Sequence, residues 1–414
     1  MRLPHRLDDM NQFQRLCVIA LCSTGLGIGL FRFSYTALMP LTIDQHWWDL
    51  KFASELASAN LIGYLIGAII AFTTIKEHQI ARVILYSALL GSISLLCCGL
   101  HGFADAWYLF WRVLSGISGG FLMVLGPSFA LKQVLPEQKH LLGLIAFSGI
   151  GLGVLLTTTL LPQLGHLSVA IAWYALGILG LILTAVLALM LTRIRQEADS
   201  SRQSVTPARS PTQAVQFALT RQHYWVAGLV IAAYFMSAVA YIPHSLFWVD
   251  FLVHHLHQPQ NFANLQWMIY GFGSLIGALT AYLSVKRWGG VGALWRLYLI
   301  YAIAIFLPAY FDQPLLLTLS SFFTGAMNPA TVSLSSTLLA EIVSSARHRQ
   351  AWGIAVMVFA IAQLIGGVGM GYLLVNSVEY QQLFAIGATV MAIGVGLSLI
   401  VAFTKFNVHQ QKEI

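Results

Sequence analysis

Two arginines stand inside otherwise apolar stretches of this chain, and their side chains are the ones best equipped for chemistry. Arg32 lies in Gly27-Ile28-Gly29-Leu30-Phe31-Arg32-Phe33-Ser34-Tyr35, eight residues before Pro40. On a helix that separation is about 12 Å. A cation at such depth on a membrane helix costs about 2.5–3.5 kcal/mol on insertion scales, so it is expected to face a cavity or a partner. The planar fork of donors on Arg32 suits an anionic ligand group or a coupling carboxylate. The competing reading is a structural arginine tied to backbone carbonyls. Arg112 enters its own apolar stretch to a comparable depth. Two unpaired cations repel, so either an anion lies between them or each has its own carboxylate. Glu55, Asp44 and Asp105 are the nearest by depth.

Other polar side chains extend this set. Tyr35 follows Arg32 by three positions, on one face of a regular helix, where its hydroxyl can meet a ligand or a neighbouring carbonyl. Tyr241 and His244 flank Pro243; histidine titrates near neutrality, which makes His244 a candidate proton carrier. Asn328-Pro329 breaks a helix ladder in mid-stretch and frees carbonyls beside an amide, as a hinge or a ligand contact would. The carboxylates all sit near the ends of apolar stretches, so Glu55 and Asp250 are the remaining proton candidates. Gln363 and Asn60 read as interhelical hydrogen bonds. The run His254-His255-Leu256-His257 beside Asp250 could suggest a metal site, but neighbouring histidines on a short loop rarely converge on one ion. No metal and no cofactor is expected.

The elements that must position these residues are membrane helices. Hydrophobic residues make up 58% of the 414 residues and charged residues 9%, and the mean hydropathy is +0.75. So few charges cannot cover a water-facing surface, so lipid is the solvent for much of the chain. Spans of about 20 apolar residues are expected over 16–41, 54–75, 81–101, 106–131, 141–162, 168–191, 223–250, 261–285, 291–311, 314–339, 350–374 and 380–404. Met1–Asn11 is polar and the first apolar stretch is too long for a signal peptide. With the N-terminus in the cytoplasm, all 22 Lys and Arg except Arg32, Lys51 and Arg112 fall in or beside cytoplasmic segments. That is the positive-inside pattern, so the net charge of +7 is a topology signal and not a nucleic-acid footprint. The cysteines Cys17, Cys22, Cys97 and Cys98 lie inside spans and read as packing residues.

A sequence echo organises the spans. Gly63-Tyr64-Leu65-Ile66-Gly67-Ala68 returns 210 residues on as Gly273-Ser274-Leu275-Ile276-Gly277-Ala278, and Gly143 aligns with Gly353. Nearer the starts of the two copies Pro40 pairs with Pro243, and the loop around His254 accounts for the change of offset. The division falls at the polar stretch 192–222, giving a six-helix bundle over 1–191, a linker, and a second bundle over 223–414. Gly63 and Gly67, like Gly273 and Gly277, are spaced for close helix approach; they and Pro329 are read as packing and gating positions. Internal duplication of this kind marks many transporter folds.

Twelve spans in two copies with a basic central linker resemble the major facilitator superfamily of secondary transporters. Arg112-Val113-Leu114-Ser115-Gly116 is similar to the Arg-x-x-x-Gly motif of its fourth helix. The first span and Ser58-Ala59-Asn60-Leu61-Ile62-Gly63-Tyr64-Leu65 resemble the bacterial YbfB/YjiJ-type branch. The chain departs from the superfamily after span two, where Lys76-Glu77-His78-Gln79-Ile80-Ala81-Arg82 lacks the gating aspartate, and in span five, which lacks the exchanger Gly-Pro pair. The resemblance implies an all-helical twelve-span fold and a central cavity lined by spans one, four, seven and ten. It gives Arg112 a coupling role and implies alternating access, proton coupling and a bacterial inner-membrane location. The partners expected are membrane lipid, H+ and a small-molecule substrate, with no nucleic acid, and the chain is expected to act as a monomer.

The absence of a central carboxylate argues against organic cations as cargo, so an anionic or zwitterionic solute held by Arg32, Tyr35, Arg112, Asn328 and Tyr241 is expected. The runner-up is multidrug-type export of amphiphiles by Phe31, Phe33, Tyr234, Phe235 and Trp248. A membrane metalloenzyme lacks the ligand spacing it would need. A non-transporting sensor would be expected to carry a signalling domain. Neither an enzyme nor a sensor is favoured.

Overall fold

The computed structural model describes residues 10–164, 167–202, 220–343 and 345–404. These residues form helices and no strand. In chain order they are α1 (Gln12–Thr24), α2 (Ser34–Asp44), α3 (Leu50–Thr73), α4 (Ile80–Cys98), α5 (Asp105–Leu131), α6 (Lys139–Leu164) and α7 (Val169–Arg202). After 203–219 come α8 (Arg221–Ala240), α9 (Ile242–Asp250), α10 (Gln260–Tyr310), α11 (Pro314–Val343), α12 (Ser345–Val375) and α13 (Tyr380–Phe403). Wide π-helical turns over Gly25–Leu30 and Phe251–His255 join α1 towards α2 and extend α9.

Ten helical stretches among the described residues are long and apolar enough to cross a membrane. The 51-residue α10 is one of them, yet it carries Gly289 at φ 71°, so two helices meet there. α11 falls outside the ten because its interior is polar, with Ser320, Ser321, Thr324, Asn328 and Thr331 all buried. Large apolar side chains such as Phe110, Ile182, Phe272, Ile303 and Ile365 lie on the outside of the bundle, as lipid-facing positions do.

Local signals set several helix starts. Asn11 and Gln14 bond reciprocally at 2.9 Å before α1, and Asp49 accepts from the Phe52 amide at 2.8 Å before α3, each satisfying otherwise orphan amides. The expected linker begins later than composition alone suggested. Residues 192–202 continue α7, because Arg, Gln and Glu are good helix formers even after the apolar run has ended. The rest of that linker, 203–219, lies outside the described residues.

The glycine echo is matched in packing. The α3 glycines Gly63 and Gly67 press on the backbone of α5 at Val113 and Ile117, with no room for a Cβ. In α10, Gly273 and Gly277 press on α11 at Phe322 and Ala326 in the same way. The reciprocal contacts also repeat, Gly116 of α5 on the Asn60 carbonyl and Gly325 of α11 on the Tyr270 carbonyl. Each contact recurs about 210 positions on. The echo does not extend to Gly143, which faces open space, whereas Gly353 meets the Phe72 ring.

These seams lie within the helices that precede 203–219 or within those that follow it. Contacts between the two sets run elsewhere. Gly151 of α6 meets Gly271 and Leu275 of α10, and Gly367 of α12 meets Leu61 of α3. The Thr36 hydroxyl of α2 donates to the Ser245 carbonyl of α9.

At one end of the bundle several turns gather. Trp47 lies against His101 with ring centroids 4.7 Å apart, and the Val169 amide donates to Gln45 Oε1 at 3.0 Å. His254 reaches Asp44 there as well. This is the end opposite the linker.

Candidate functional site

The site begins with a break in the first span. Glycine at 25, 27 and 29 lets that segment approach its neighbours: Gly27 meets the Gly119 backbone and Gly29 meets Gly153. The backbone widens over this stretch. The Phe31 amide bonds to the Leu26 carbonyl at 2.9 Å and the Phe33 amide to the Ile28 carbonyl at 3.0 Å, both five residues back. Such π turns are frequent at functional sites. Here the turn delivers Arg32 into the interior.

Arg32 is 3% exposed. Its Nη1 donates to Gln363 Oε1 on α12 at 2.8 Å, and its Nη2 donates to the Tyr241 hydroxyl at 2.9 Å. Tyr241 stands between α8 and α9, just before the proline that opens α9. Its hydroxyl also accepts from Gln363 Nε2, which closes a triangle of three side chains. The guanidinium carbon lies 5.9 Å from the Tyr64 ring centroid and 5.8 Å from that of Tyr241. π faces at such distances favour a cation. Arg32 Nε has no hydrogen-bond partner. No carboxylate pairs with Arg32 among the described residues.

An aromatic wall continues from this triangle. Phe33 meets Trp267 and Tyr270 edge-on at 5.8 and 6.0 Å, and those two rings stack at 4.4 Å. Asn328 Nδ2 donates to the Tyr270 hydroxyl at 3.1 Å, so Asn328 reaches the cluster through Tyr270. Trp267 Nε1 is buried without a partner. A charged fork, a paired hydroxyl and amide, an unused donor and stacked rings are the groups that would hold a small organic anion with an apolar or ring portion. Sequence reasoning missed Tyr64, Trp267 and Tyr270, which sit in spans expected to serve packing. It read Gln363 as an interhelical bond, and the structure gives that bond to Arg32.

Arg112 and Tyr35 form a separate unit. Arg112 is 1% exposed; its Nε donates to the Leu56 carbonyl at 3.3 Å and its Nη1 to the Phe31 carbonyl at 3.2 Å. Asn60 Nδ2 donates to the same Phe31 carbonyl at 3.3 Å, so two side chains serve an oxygen at the end of the π turn. The Arg112 guanidinium lies 4.5 Å from the Tyr35 ring centroid, and the Tyr35 hydroxyl donates to the Ala53 carbonyl at 2.9 Å. Tyr35 therefore does not share the Arg32 face. The expectation assumed a regular helix between the two, and the turn over Phe31–Phe33 removes that register. Arg112 likewise has no carboxylate partner among the described residues, and Glu55 and Asp105 are exposed.

His244 is fully buried. It stacks on Trp248 at 4.6 Å and its Nε2 lies 2.8 Å from the Ser320 hydroxyl. That hydroxyl donates to the Ala304 carbonyl at 2.6 Å, so it accepts from a protonated Nε2. Among the described residues, no carboxylate bonds to His244.

Asp250 is also fully buried, and it belongs to a polar chain at the end opposite the linker. His254 Nδ1 lies 2.7 Å from Asp250 Oδ1 and His254 Nε2 lies 2.8 Å from Asp44 Oδ1. The Tyr380 hydroxyl donates to the second Asp250 oxygen. Two open surface hollows lie apart from all these residues, one at the start of α8 lined by Arg221, Gln222, Tyr224 and Trp225, the other along the end of α7.

Residues 24–399 match the family described as "Uncharacterised MFS-type transporter YbfB". The chain belongs to this family of major facilitator transporters. Similar solved structures agree in fold. A D-xylose-proton symporter aligns with a TM-score of 0.71 at 16% identity, covering 94% of this chain and 96% of that one. The nucleoside transporter NupG aligns with a TM-score of 0.66 at 15% identity, covering 96% of this chain and all of that one. No curated protein sequence matches. A multi-pass membrane transporter is the function these relationships carry, and the transporters to which the chain is similar are not enzymes.

Proposed function

We propose that this YbfB-type transporter moves a small anionic or zwitterionic organic solute by alternating access, with Arg32 as the anchor for the negative group. One observation carries the reading. Arg32 is a buried cation with no carboxylate partner among the described residues, and neutral groups from the opposite set of helices hold it. Removing a charge from water is expensive unless it is paired. A solute carboxylate or phosphate supplies that pairing with little rearrangement, because Arg32 Nε is unused and Tyr241 and Gln363 can keep each other satisfied.

In this reading the chain crosses the membrane twelve times in two sets of six. α1 with α2 forms the first span and α8 with α9 the seventh. α10 supplies two spans that meet at Gly289, and α11 supplies the tenth. The division at 192–222 separates the sets, both termini are cytoplasmic, and the location is the bacterial inner membrane. The proton gradient drives transport, and H+ is the coupling ion.

Arg32 bonds across the two sets, so the solute that displaces Tyr241 and Gln363 also removes a contact between them. That couples occupancy to the relative position of the sets, as a rocking transporter requires. The first test is a thermal-shift screen of purified protein in detergent against organic anions, cations and neutral solutes, on the native chain and on Arg32→Ala. Organic anions that stabilise the native chain and not the variant establish the site. Equal stabilisation of both proteins by cations or apolar amphiphiles replaces it with a multidrug site, a reading favoured by the wall of Phe33, Trp267 and Tyr270.

A further inference from the structure

The polar chain Asp44–His254–Asp250–Tyr380 has a property that the Arg32 site does not use. Asp44 ends α2, in the set of helices before 203–219, whereas the other three belong to the set after it. The bond between His254 and Asp44 therefore ties the two sets together at the end opposite the linker.

The chemistry of this tie depends on one proton. Each ring nitrogen of His254 faces a carboxylate oxygen, at 2.7 and 2.8 Å. A carboxylate only accepts, so both nitrogens must donate, and only the imidazolium carries two N–H groups. Neutral imidazole has one N–H, and its lone pair would then face an anion. The local charge would also change from one net negative to two. The two carboxylates differ in what they can do next. Asp250 is fully buried and keeps the Tyr380 hydroxyl, whereas the Asp44 side chain is 47% exposed and can take water instead. The bond that yields is the one between the sets. Few other ionisable side chains lie near His254 among the described residues. Asp44 and Asp250 face His254 from α2 and α9, and Tyr380 of α13 reaches it through Asp250. The first two turns of α10 carry no charge, and His255 stacks on Phe251 and lies tilted against Tyr380, each at 5.6 Å. His46 and Glu379 lie close in sequence to Asp44 and Tyr380 and are exposed.

We propose that Asp44, His254 and Asp250 form a proton-operated latch that holds this end of the bundle shut. Protonated His254 closes it, and loss of the proton releases α2 from the segment after α9. The latch rests on the alternating-access reading, and its test needs no solute. A proton arriving from that side closes the side through which it came, which is the event proton coupling requires.

The experiment uses the full chain with Cys17, Cys22, Cys97 and Cys98 replaced by alanine and with Thr36→Cys introduced. Thr36 is 1% exposed and bonds α2 to α9 behind the latch, about 12 Å from Asp44 along the helix. Labelling by a membrane-impermeant maleimide is measured at pH 6 and pH 9. Each rate is divided by that of the same cysteine in denatured protein, which removes the thiol's own pH dependence. The normalised rate is expected to rise at least about tenfold with pH, the population change that follows loss of one charge-assisted hydrogen bond. In His254→Gln and in Asp44→Asn it is expected to be high at both pH values. Asp44→Asn alters a half-exposed side chain and serves if His254→Gln does not fold. A normalised rate that does not change with pH, or a native-like pH response in the variants, overturns the latch. An anion screen that finds no ligand leaves these rates unaffected, so failure of the latch and failure of the Arg32 site are separately visible.

Discussion

Arg32 and Gln363 are 331 positions apart in the chain and 2.8 Å apart in the fold. The guanidinium comes from the helices before 203–219 and the amide from those after it. A charged group is thus held by a neutral one across the contact between the two sets, the contact that the proposed alternating-access cycle would change.

Replacing the amide by an acid tests the need for an external anion. Gln363→Glu would place a carboxylate within bonding distance of Arg32 Nη1. The expected result is a higher melting temperature together with at least about a tenfold loss of organic-anion binding, since a charge-assisted bond is about twice as strong as a neutral one. Gln363→Leu is expected to lower stability by about 1–3 kcal/mol, because it leaves a buried donor unpaired. Thermal shift with and without the anion reads both effects.

Arg32→Lys separates charge from geometry. Lysine keeps the positive charge but lacks the planar fork that serves Gln363 and Tyr241 together. Anion binding is expected to weaken by about 10–100-fold, corresponding to about 1.5–3 kcal/mol for bonds to a charged group. Affinity equal to that of the native chain would mean that charge alone suffices and that the paired geometry is not used.

Much of the fold was legible because it depends on local periodicity and composition. The apolar spans and the Gly63 and Gly273 echo follow from residue pattern, whereas the break expected at Asn328-Pro329 is not seen, because Pro329 lies inside the continuous α11. Arg32 was legible because a cation in an apolar stretch is conspicuous. Its partners were not, since Gln363 resembles any buried amide and only the fold brings it to Arg32. Tyr35 was misplaced beside Arg32 because the turn over Phe31–Phe33, which follows the π turn over Gly25–Leu30, removes the regular helical register between them, and the sequence does not by itself announce that turn. His254 was grouped with its neighbouring histidines, whereas its partner Asp44 lies 210 positions earlier.

The glycine seams provide a paired stability test. Gly63→Ala and Gly273→Ala would each force a methyl against the backbone of the neighbouring helix. Each is expected to cost about 1–3 kcal/mol or more, the range for overpacking a close contact. Gly228→Ala and Gly396→Ala meet nothing within 4 Å and are expected to be neutral or to stabilise by about 0.4–1 kcal/mol through the unfolded chain. Melting temperatures of the four variants decide it. Similar costs at Gly63 and Gly273 would show that the two seams are energetically as well as geometrically alike.

Arg112 separates the motif-based expectation from the geometry. The family motif assigns this arginine a coupling role, yet its donors point at the carbonyls of Leu56 and Phe31. If those bonds are its function, Arg112→Ala leaves the Phe31 carbonyl with Asn60 alone and exposes the end of the π turn. Stability is then expected to fall by about 2–4 kcal/mol, from the lost bonds and the cavity together. Organic-anion affinity of the protein that remains folded is expected to stay within about threefold of native, because Arg112 shares no hydrogen-bond partner with Arg32. Transport in vesicles under the proposed proton gradient, scaled to folded protein, should then also be preserved. Transport lost while anion binding and melting temperature are both retained would return Arg112 to the coupling pathway, with its carbonyl bonds belonging to only one state of the cycle.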